Sequence, residues 1–234
     1  MTDGKGLVPK SDVADTVHTV VKAAFSAIPV IGGPAAELFA FVIAPPLQKR
    51  QHVWMEELAE RVEKLEKKTG ITAESLRDSP AFIDAVLTAT QAAIRTSNEE
   101  KRDALRNAIV NSVLSNAPPP EEQQLYLSIV DALSPWHLRL LYLFKDPVAW
   151  FERKGQQFPQ VSTGSLEVVV QGAYPEARQI DLRSVWRDLN ARGLLNTQDI
   201  GMSMTGNGLR AQRTTPLGAA VVDFTMNQLG DEAS

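Results

Sequence analysis

The stretch AIPVIGGPAAELFAFVIAPPL, residues 27–47, is almost wholly apolar and poses a choice between two kinds of protein. Either it crosses a membrane or it is buried in a helical bundle. Length decides between them. A crossing needs about 20 apolar residues at 1.5 Å each, about 30 Å in all. Pro29 and Gly32-Gly33-Pro34 divide the region into two pieces of roughly 10 to 15 residues, about 15–22 Å each as helix. Neither piece spans. Glu37 sits in the second piece, where a charge costs about 2.5–3.5 kcal/mol on insertion scales. The expected structure is an apolar helical hairpin over residues 20–47, with Ile28, Val30, Ile31, Leu38, Phe39, Phe41, Val42 and Ile43 in a bundle core. A second reading lets the same hairpin insert on a trigger, with Lys49 and Arg50 at its exit facing anionic headgroups.

Working outward, residues 1–10 read as a flexible tail without the basic start and apolar run of a secretory signal. A helix starts at Ser11, a good N-cap, with Val13, Val17, Val20, Val21, Ala24 and Ile28 as its apolar stripe. Beyond the hairpin, a long helix is expected from about Leu47 to Lys68. Leu47, Trp54, Leu58, Val62 and Leu65 share one face. Glu57–Arg61, Glu60–Lys64 and Glu63–Lys67 are favourable i,i+4 pairs on its solvated side. Gly70 stops it. Further helices follow over Pro80 to Arg95 and Asn98 to Leu114, with Asn98 as cap and Glu99 and Glu100 at the positive end of the dipole. Pro118-Pro119-Pro120 breaks the chain. Another helix runs to Leu133, and Ser134-Pro135 caps the next, which ends at Asp146-Pro147.

After about residue 155 the chain becomes polar and Gly/Pro-punctuated. Short helices are expected at Ser165–Gly172 and Gln179–Arg192. A strand at Gly193-Leu194-Leu195, a turn at Thr205-Gly206-Asn207-Gly208 and a second strand to Thr214 form a hairpin, since Asn-Gly between extended segments is a strong turn signal. A last helix runs from Pro216 to about Leu229. Helix, helix, helix, hairpin, helix is the order of a winged helix. The fold class is therefore mainly α: a helical domain over 11–134, then a small α+β winged-helix-like domain over 135–234.

Composition agrees with a globular chain: 234 residues, 44% hydrophobic and 22% charged. With no cysteine there are no disulfides, thiolate metal sites or cysteine nucleophiles, which fits a reducing cytoplasm. The net charge of −4 argues against a generally basic nucleic-acid binder. Charge is uneven, however. Residues 178–213 carry six arginines against three aspartates, a local +3. Gln179, Arg183, Arg187 and Arg192 fall on one predicted helix, and Arg210 and Arg213 on the predicted wing. Gln179 and Arg183 lie at the end that a recognition helix turns to base edges. Asp181 and Asp188 on the same helix oppose phosphate, so a protein-binding module with surface ion pairs is the alternative use of the same residues.

No active-site pattern appears: there is no P-loop, dinucleotide fingerprint, nucleophile elbow or zincin motif. His18, His52 and His137 fall on different helices. His52 and Glu56 lie one turn apart without a third ligand in view, and His137 reads as a packing or capping residue. The expectation is a non-enzyme with no cofactor and no metal.

The segments AIPVIGGP, LAERVEKLE, NEEKRDALRNAIVNSVL and LSPWHLRLLYLFKDP resemble a widespread family of uncharacterised bacterial proteins. So do DLNARGLLNT, MSMTGNGL and RTTPLG. The likeness covers residues 20 to 228 and implies no activity or catalytic residue. NAIVNSVL followed by LSPWHLRLL is also similar to abortive-infection alpha-type proteins, which implies a link with phage defence. The expected function is a bacterial interaction protein with conditional membrane contact and a protein partner or self-association. The alternative is a DNA-binding regulator that uses the winged helix.

Overall fold

The structure, a computed structural model, describes residues 44–230. The expected tail, the helix from Ser11 and the hairpin residues Ile28 to Ile43 lie outside the described residues. The described chain is mainly α, with eleven helices and one two-stranded sheet. It divides into two compact units, one described over 44–131 and 224–230, the other over 132–223.

The first unit starts with α1 (Ala44–Thr69), α2 (Ala73–Arg77), α3 (Pro80–Ile94), α4 (Glu99–Asn111) and most of α5 (Pro120–Ala132). The expected apolar face of α1 is the buried one: Trp54, Leu58, Val62 and Leu65 are all essentially without solvent contact. They meet Phe82, Val86 and Ala89 of α3 and Leu105, Ala108 and Ile109 of α4 in a core that brings these three helices together. The one polar edge of Trp54 is satisfied, its Nε1–H donating to Thr90 Oγ1 at 3.0 Å. Caps define the ends. Ser79 Oγ accepts from Phe82 N–H, Asn98 Oδ1 accepts from Lys101 N–H at 2.9 Å, and Gly70 at φ +75° takes the left-handed position after α1.

Two cations of α4 are buried in this unit: Lys101, whose Nζ donates to Asp131 O at 2.7 Å, and Arg106. The side chain of Arg106 on α4 is 4% exposed, and it is surrounded by Glu57 of α1 and by Glu99 and Asp103 of its own helix. Arg61 of α1 joins Asp103 at 3.0 Å and also donates to Asn107. Burial pushes the Glu57 carboxyl above its ordinary value, outweighing the attraction of Arg106. Burial also acts on Glu99, but hydrogen bonds from Arg102 and Arg106 overcome it and hold that carboxyl low.

The next turns of α4 receive the end of the chain. Asn107 Nδ2 donates to Thr225 O at 3.0 Å, and Asn111 Nδ2 donates to Phe224 O and Met226 O at 2.9 and 2.8 Å. These are carbonyls at the C-terminus of α11 (Pro216–Thr225), which lack helical partners of their own. Lys68 Nζ closes the segment with hydrogen bonds to Leu229 O and Gly230 O.

The second unit holds α6 (Pro135–Lys145), α7 (Pro147–Arg153), β1 (Thr163–Gly164), α8 (Leu166–Ala173), a 3-10 turn (Pro175–Gln179), α9 (Leu182–Ala191), β2 (Met204–Thr205), α10 (Gly206–Arg210) and most of α11. Trp186 of α9 stands edge-on to Phe144 of α6, ring centroids 5.0 Å apart. Leu138, Leu141, Leu166, Val170, Leu189 and Leu194 are buried in the same unit.

The expected hairpin does not form. Thr205 caps α10, its Oγ1 accepting from Gly208 N–H at 3.2 Å, so Gly206-Asn207-Gly208 opens a one-turn helix. The turn type that Asn-Gly favours needs positive φ at both central residues, and neither Asn207 nor Gly208 has it. β2 pairs antiparallel with β1, Thr163 facing Thr205 and Gly164 facing Met204. The expected strands at 193–195 and to 214 meet in a single bridge, Leu195 to Thr214. The helix expected over Gln179–Arg192 is shorter, running Leu182–Ala191 from an Asp181 cap.

Two predictions follow from the first unit's charge network. Arg106→Ala takes from Glu57 its ion-pair partner, while Asp103 keeps Arg61 and Glu99 keeps Arg102, and is expected to cost about 3 kcal/mol, the low end for breaking a buried pair because the acids are partly exposed. Denaturant unfolding measures it. Glu99→Gln is expected to lower the melting temperature at neutral pH. The stabilisation that its lowered pKa represents is present above the ordinary carboxylate value of 4.5 and fades as pH falls through the folded one. Melting curves of the variant and the parent chain should therefore converge at acid pH.

Candidate interaction surface

α9 is the element with the sharpest division between faces. Leu182, Trp186 and Leu189 are buried at i, i+4 and i+7, while Arg183, Ser184, Arg187 and Ala191 are exposed. Asp181 starts the helix, accepting Ser184 N–H at 3.1 Å and the Ser184 hydroxyl at 2.6 Å. Those bonds, the hydroxyl's foremost, hold the Asp181 carboxyl below its ordinary value. This aspartate therefore has a structural post.

Beside α9 lies a concavity of about 180 Å³ lined by Arg183, Trp186, Arg187, Gln198, Asp199 and Ile200. Its volume is far above the roughly 10–15 Å³ that admits one water. Trp186 and Ile200, each 1% exposed, are its apolar residues. The indole N–H of Trp186 is already used, donating to Thr197 O at 2.7 Å. Asp199 Oδ1 accepts Gly201 N–H at 2.8 Å. Arg183 Nε donates to Glu167 Oε1 of α8 at 3.2 Å, and its guanidinium lies over Gly201, where a methyl would be 2.6 Å from Nη2. Arg187 makes no hydrogen bond or ion pair among the described residues, and Asp181 is a counter-charge near enough for each to act on the other.

The six residues expected to form one nucleic-acid surface separate. Only Arg183 and Arg187 line the concavity. Gln179 is exposed but closes the 3-10 turn ahead of the helix. Arg192 follows the last helical residue and pairs with Asp188 at 2.8 Å. The Arg210 guanidinium lies 4.4 Å from the centre of the Phe158 ring. Arg213 belongs to the fold: its guanidinium contacts Met204 Sδ at 3.2 Å and donates to Gly208 O, while its backbone N–H donates to Phe144 O at 2.8 Å. Gln198, Asp199 and Ile200 went unpredicted, because they sit in a loop without periodicity.

A Ser, a His and an Asp also meet in this unit. His137 Nδ1 accepts Ser134 N–H at 3.2 Å and lies 2.6 Å from Ser134 Oγ, while Nε2 is 3.1 Å from Asp188 Oδ2. An Nδ1 that accepts from a backbone N–H is unprotonated, which places the neutral ring's proton on Nε2, toward the carboxylate. This is a capping box at the start of α6, tied to α9 through Asp188. The Asp188 carboxyl is held low, first by the hydrogen bond from Arg192. His52 and Glu56 form an exposed pair at 3.2 Å, and among the described residues no cluster of three such ligands occurs. No described helix is long and apolar enough to cross a membrane.

Compared with family models, curated proteins and solved structures, the chain matches none.

The two kinds of arginine should separate in a melt. Arg213→Ala removes a donor to a backbone carbonyl and is expected to cost about 1–3 kcal/mol. Arg187→Ala changes an exposed, unpaired side chain and should stay within about 0.5 kcal/mol. Equal losses in the two variants would contradict this division.

Proposed function

We propose that this chain is a non-enzymatic interaction protein whose second unit presents the exposed face of α9 to an acidic protein partner. The observation that carries the reading is the contrast, within the α9 helix and the segment that follows it, between Arg187 and the engaged Arg192, Arg210 and Arg213. Arg192 and Arg213 are engaged within the unit and Arg210 stacks on Phe158, whereas Arg187 stands unpaired at a concavity next to the half-engaged Arg183. The order of elements in this unit is α6, α7, β1, α8, the 3-10 turn, α9 and then a return segment bridged at Leu195 and Thr214; apart from α7 and the turn it follows a winged-helix-like order, with α9 in the place of the recognition helix.

DNA is the second reading, and the i,i+4 pair Arg183 and Arg187, preceded by the exposed Arg178, favours it. Three cations are a small footprint, however, since each neutralised phosphate contributes about 0.9 to the salt slope. Asp199 also lines the same concavity and Glu167 holds Arg183, both unfavourable toward a polyanion. A protein surface that mixes acids with donors tolerates these acids better. Conditional membrane contact through the residue 20–47 hairpin, and a part in phage defence, belong to the same proposal and rest on the sequence.

Fluorescence anisotropy of the full chain separates the two partners. A labelled peptide with a few glutamates spaced among neutral residues and a labelled short duplex are titrated at low salt, each also against Arg183→Glu/Arg187→Glu. The peptide is expected to bind the parent chain and to weaken on the order of tenfold in the double variant, the scale of charged hydrogen bonds. Tighter binding of the duplex, with the steep salt slope of phosphate neutralisation, would overturn the protein reading.

A further inference from the structure

The concavity between α9 and the 198–201 loop has the chemistry of a pocket for one acidic side chain. We propose that it takes the carboxylate of a glutamate or aspartate on the partner, with Arg187 as principal donor and Arg183 as second. This rests on the reading of an acidic protein partner and adds where on the surface the acid is held.

Shape and hydrogen bonding agree. Trp186 and Ile200, each buried, form the base of the concavity, and the exposed Arg183, Arg187, Gln198 and Asp199 form the wall that a ligand meets. Arg187 has no internal hydrogen bond to give up. An incoming carboxylate therefore gains a charge-assisted, two-pronged contact without breaking one. Arg183 is different: its Nε is held by Glu167, which leaves the remaining N–H groups of its planar fork for a ligand. The Gln198 side-chain amide, without a hydrogen-bond partner among the described residues, adds a neutral donor at the wall.

The acids around the two guanidiniums, Glu167 on Arg183, Asp181 near Arg187 and Asp199 in the wall, leave no surplus of positive charge. A ligand is therefore held by the donor fork of Arg187 rather than by net charge, which suits a singly charged carboxylate better than a doubly charged phosphoryl group. Asp199 is itself placed by the Gly201 N–H, so it stays in the wall. Gly201 is a requirement of the site. A methyl there would lie 2.6 Å from Arg183 Nη2 and 3.3 Å from Asp199 Oδ1, so any larger residue displaces the guanidinium. Displacing the end of a flexible side chain costs the fold little, which makes Gly201→Ala a way to disturb the pocket with the chain intact.

The test uses the full chain and the same labelled peptide of spaced glutamates, with Arg187→Gln, Gly201→Ala and, outside the concavity, Arg178→Gln. Unchanged melting temperatures establish that each variant is folded. Arg187→Gln is expected to weaken binding on the order of tenfold. Gly201→Ala should weaken it severalfold and Arg178→Gln by less than either. Free glutamate at millimolar concentration should compete better than inorganic phosphate. If the peptide binds and Arg178→Gln weakens it as much as the pocket variants do, the pocket is wrong while the acidic partner stands. If phosphate competes better, the carboxylate assignment is overturned. If the peptide fails to bind the parent chain, both readings fall together.

Discussion

A buried guanidinium cannot be left unpaired, and Arg106 imposes that condition on the whole first unit. Its counter-charges come from two helices, Glu57 on α1 and Glu99 and Asp103 on α4, so the ion network exists only when those helices lie in one register. Trp54, Leu58, Val62 and Leu65 supply the apolar face that α1 buries, and the charges add a second constraint on its position. A slide of one turn would carry Glu57 away from Arg106 and Arg61 away from Asp103, leaving the buried cation only the two acids of its own helix and Glu57 without its counter-charge. The charges thus add to the fixing of register, and cohesion is the contribution of the apolar face.

The same helix extends this control to the end of the chain. From Asp103 to Asn107 to Asn111, successive i,i+4 positions of α4 hold first a cation of α1 and then the final carbonyls of α11. The buried asparagines serve as external caps for a helix that has no glycine stop of its own. The first unit is consequently discontinuous in sequence, with residues 224–230 belonging beside residues 44–131. A truncation before Phe224 would remove the ring that stands edge-on to Tyr126 at 5.7 Å as well as the carbonyls that satisfy Asn107 and Asn111. The damage from such a cut would therefore fall in a unit encoded more than a hundred residues earlier.

Much of the helical architecture can be read from the chain, because caps and stops are local. Asn98, Ser134 and Gly70 announce helix ends through hydrogen bonds and φ angles that depend on a few neighbouring residues. The same local logic also misleads. Asp146-Pro147 reads as the end of α6, and it is that, but Asp146 also accepts Ala149 N–H at 3.0 Å and begins α7. Thr205-Gly206-Asn207-Gly208 reads as a hairpin turn, yet the Thr205 hydroxyl captures the Gly208 N–H and turns the segment into a helix start. The choice is made by β1, some forty residues earlier, which pairs with Met204-Thr205 and whose neighbour Ser162 accepts Gly206 N–H at 2.9 Å. The site follows the same pattern. Arg183 and Arg187 are visible as an exposed i,i+4 pair, but Gln198, Asp199 and Ile200 reach them through loop geometry that has no period.

An excess of arginine in a sequence window therefore says little about a binding face until each guanidinium has been followed to its contacts. In residues 178–213 the fold draws on these cations for its own needs: Arg192 for Asp188 and the helix end, Arg213 for Gly208 and the Met204 sulfur, Arg210 for the Phe158 ring. What remains for a partner is the exposed Arg178 and a narrow, mixed surface at the concavity, two guanidiniums bracketed by Glu167, Asp181 and Asp199. Such a surface discriminates. It admits an isolated carboxylate, for which the planar donor fork of one unpaired guanidinium suffices, and it repels a continuous polyanion, whose next phosphates would meet the surrounding acids. Selectivity of this kind comes from the acids that were kept, as much as from the arginines left free.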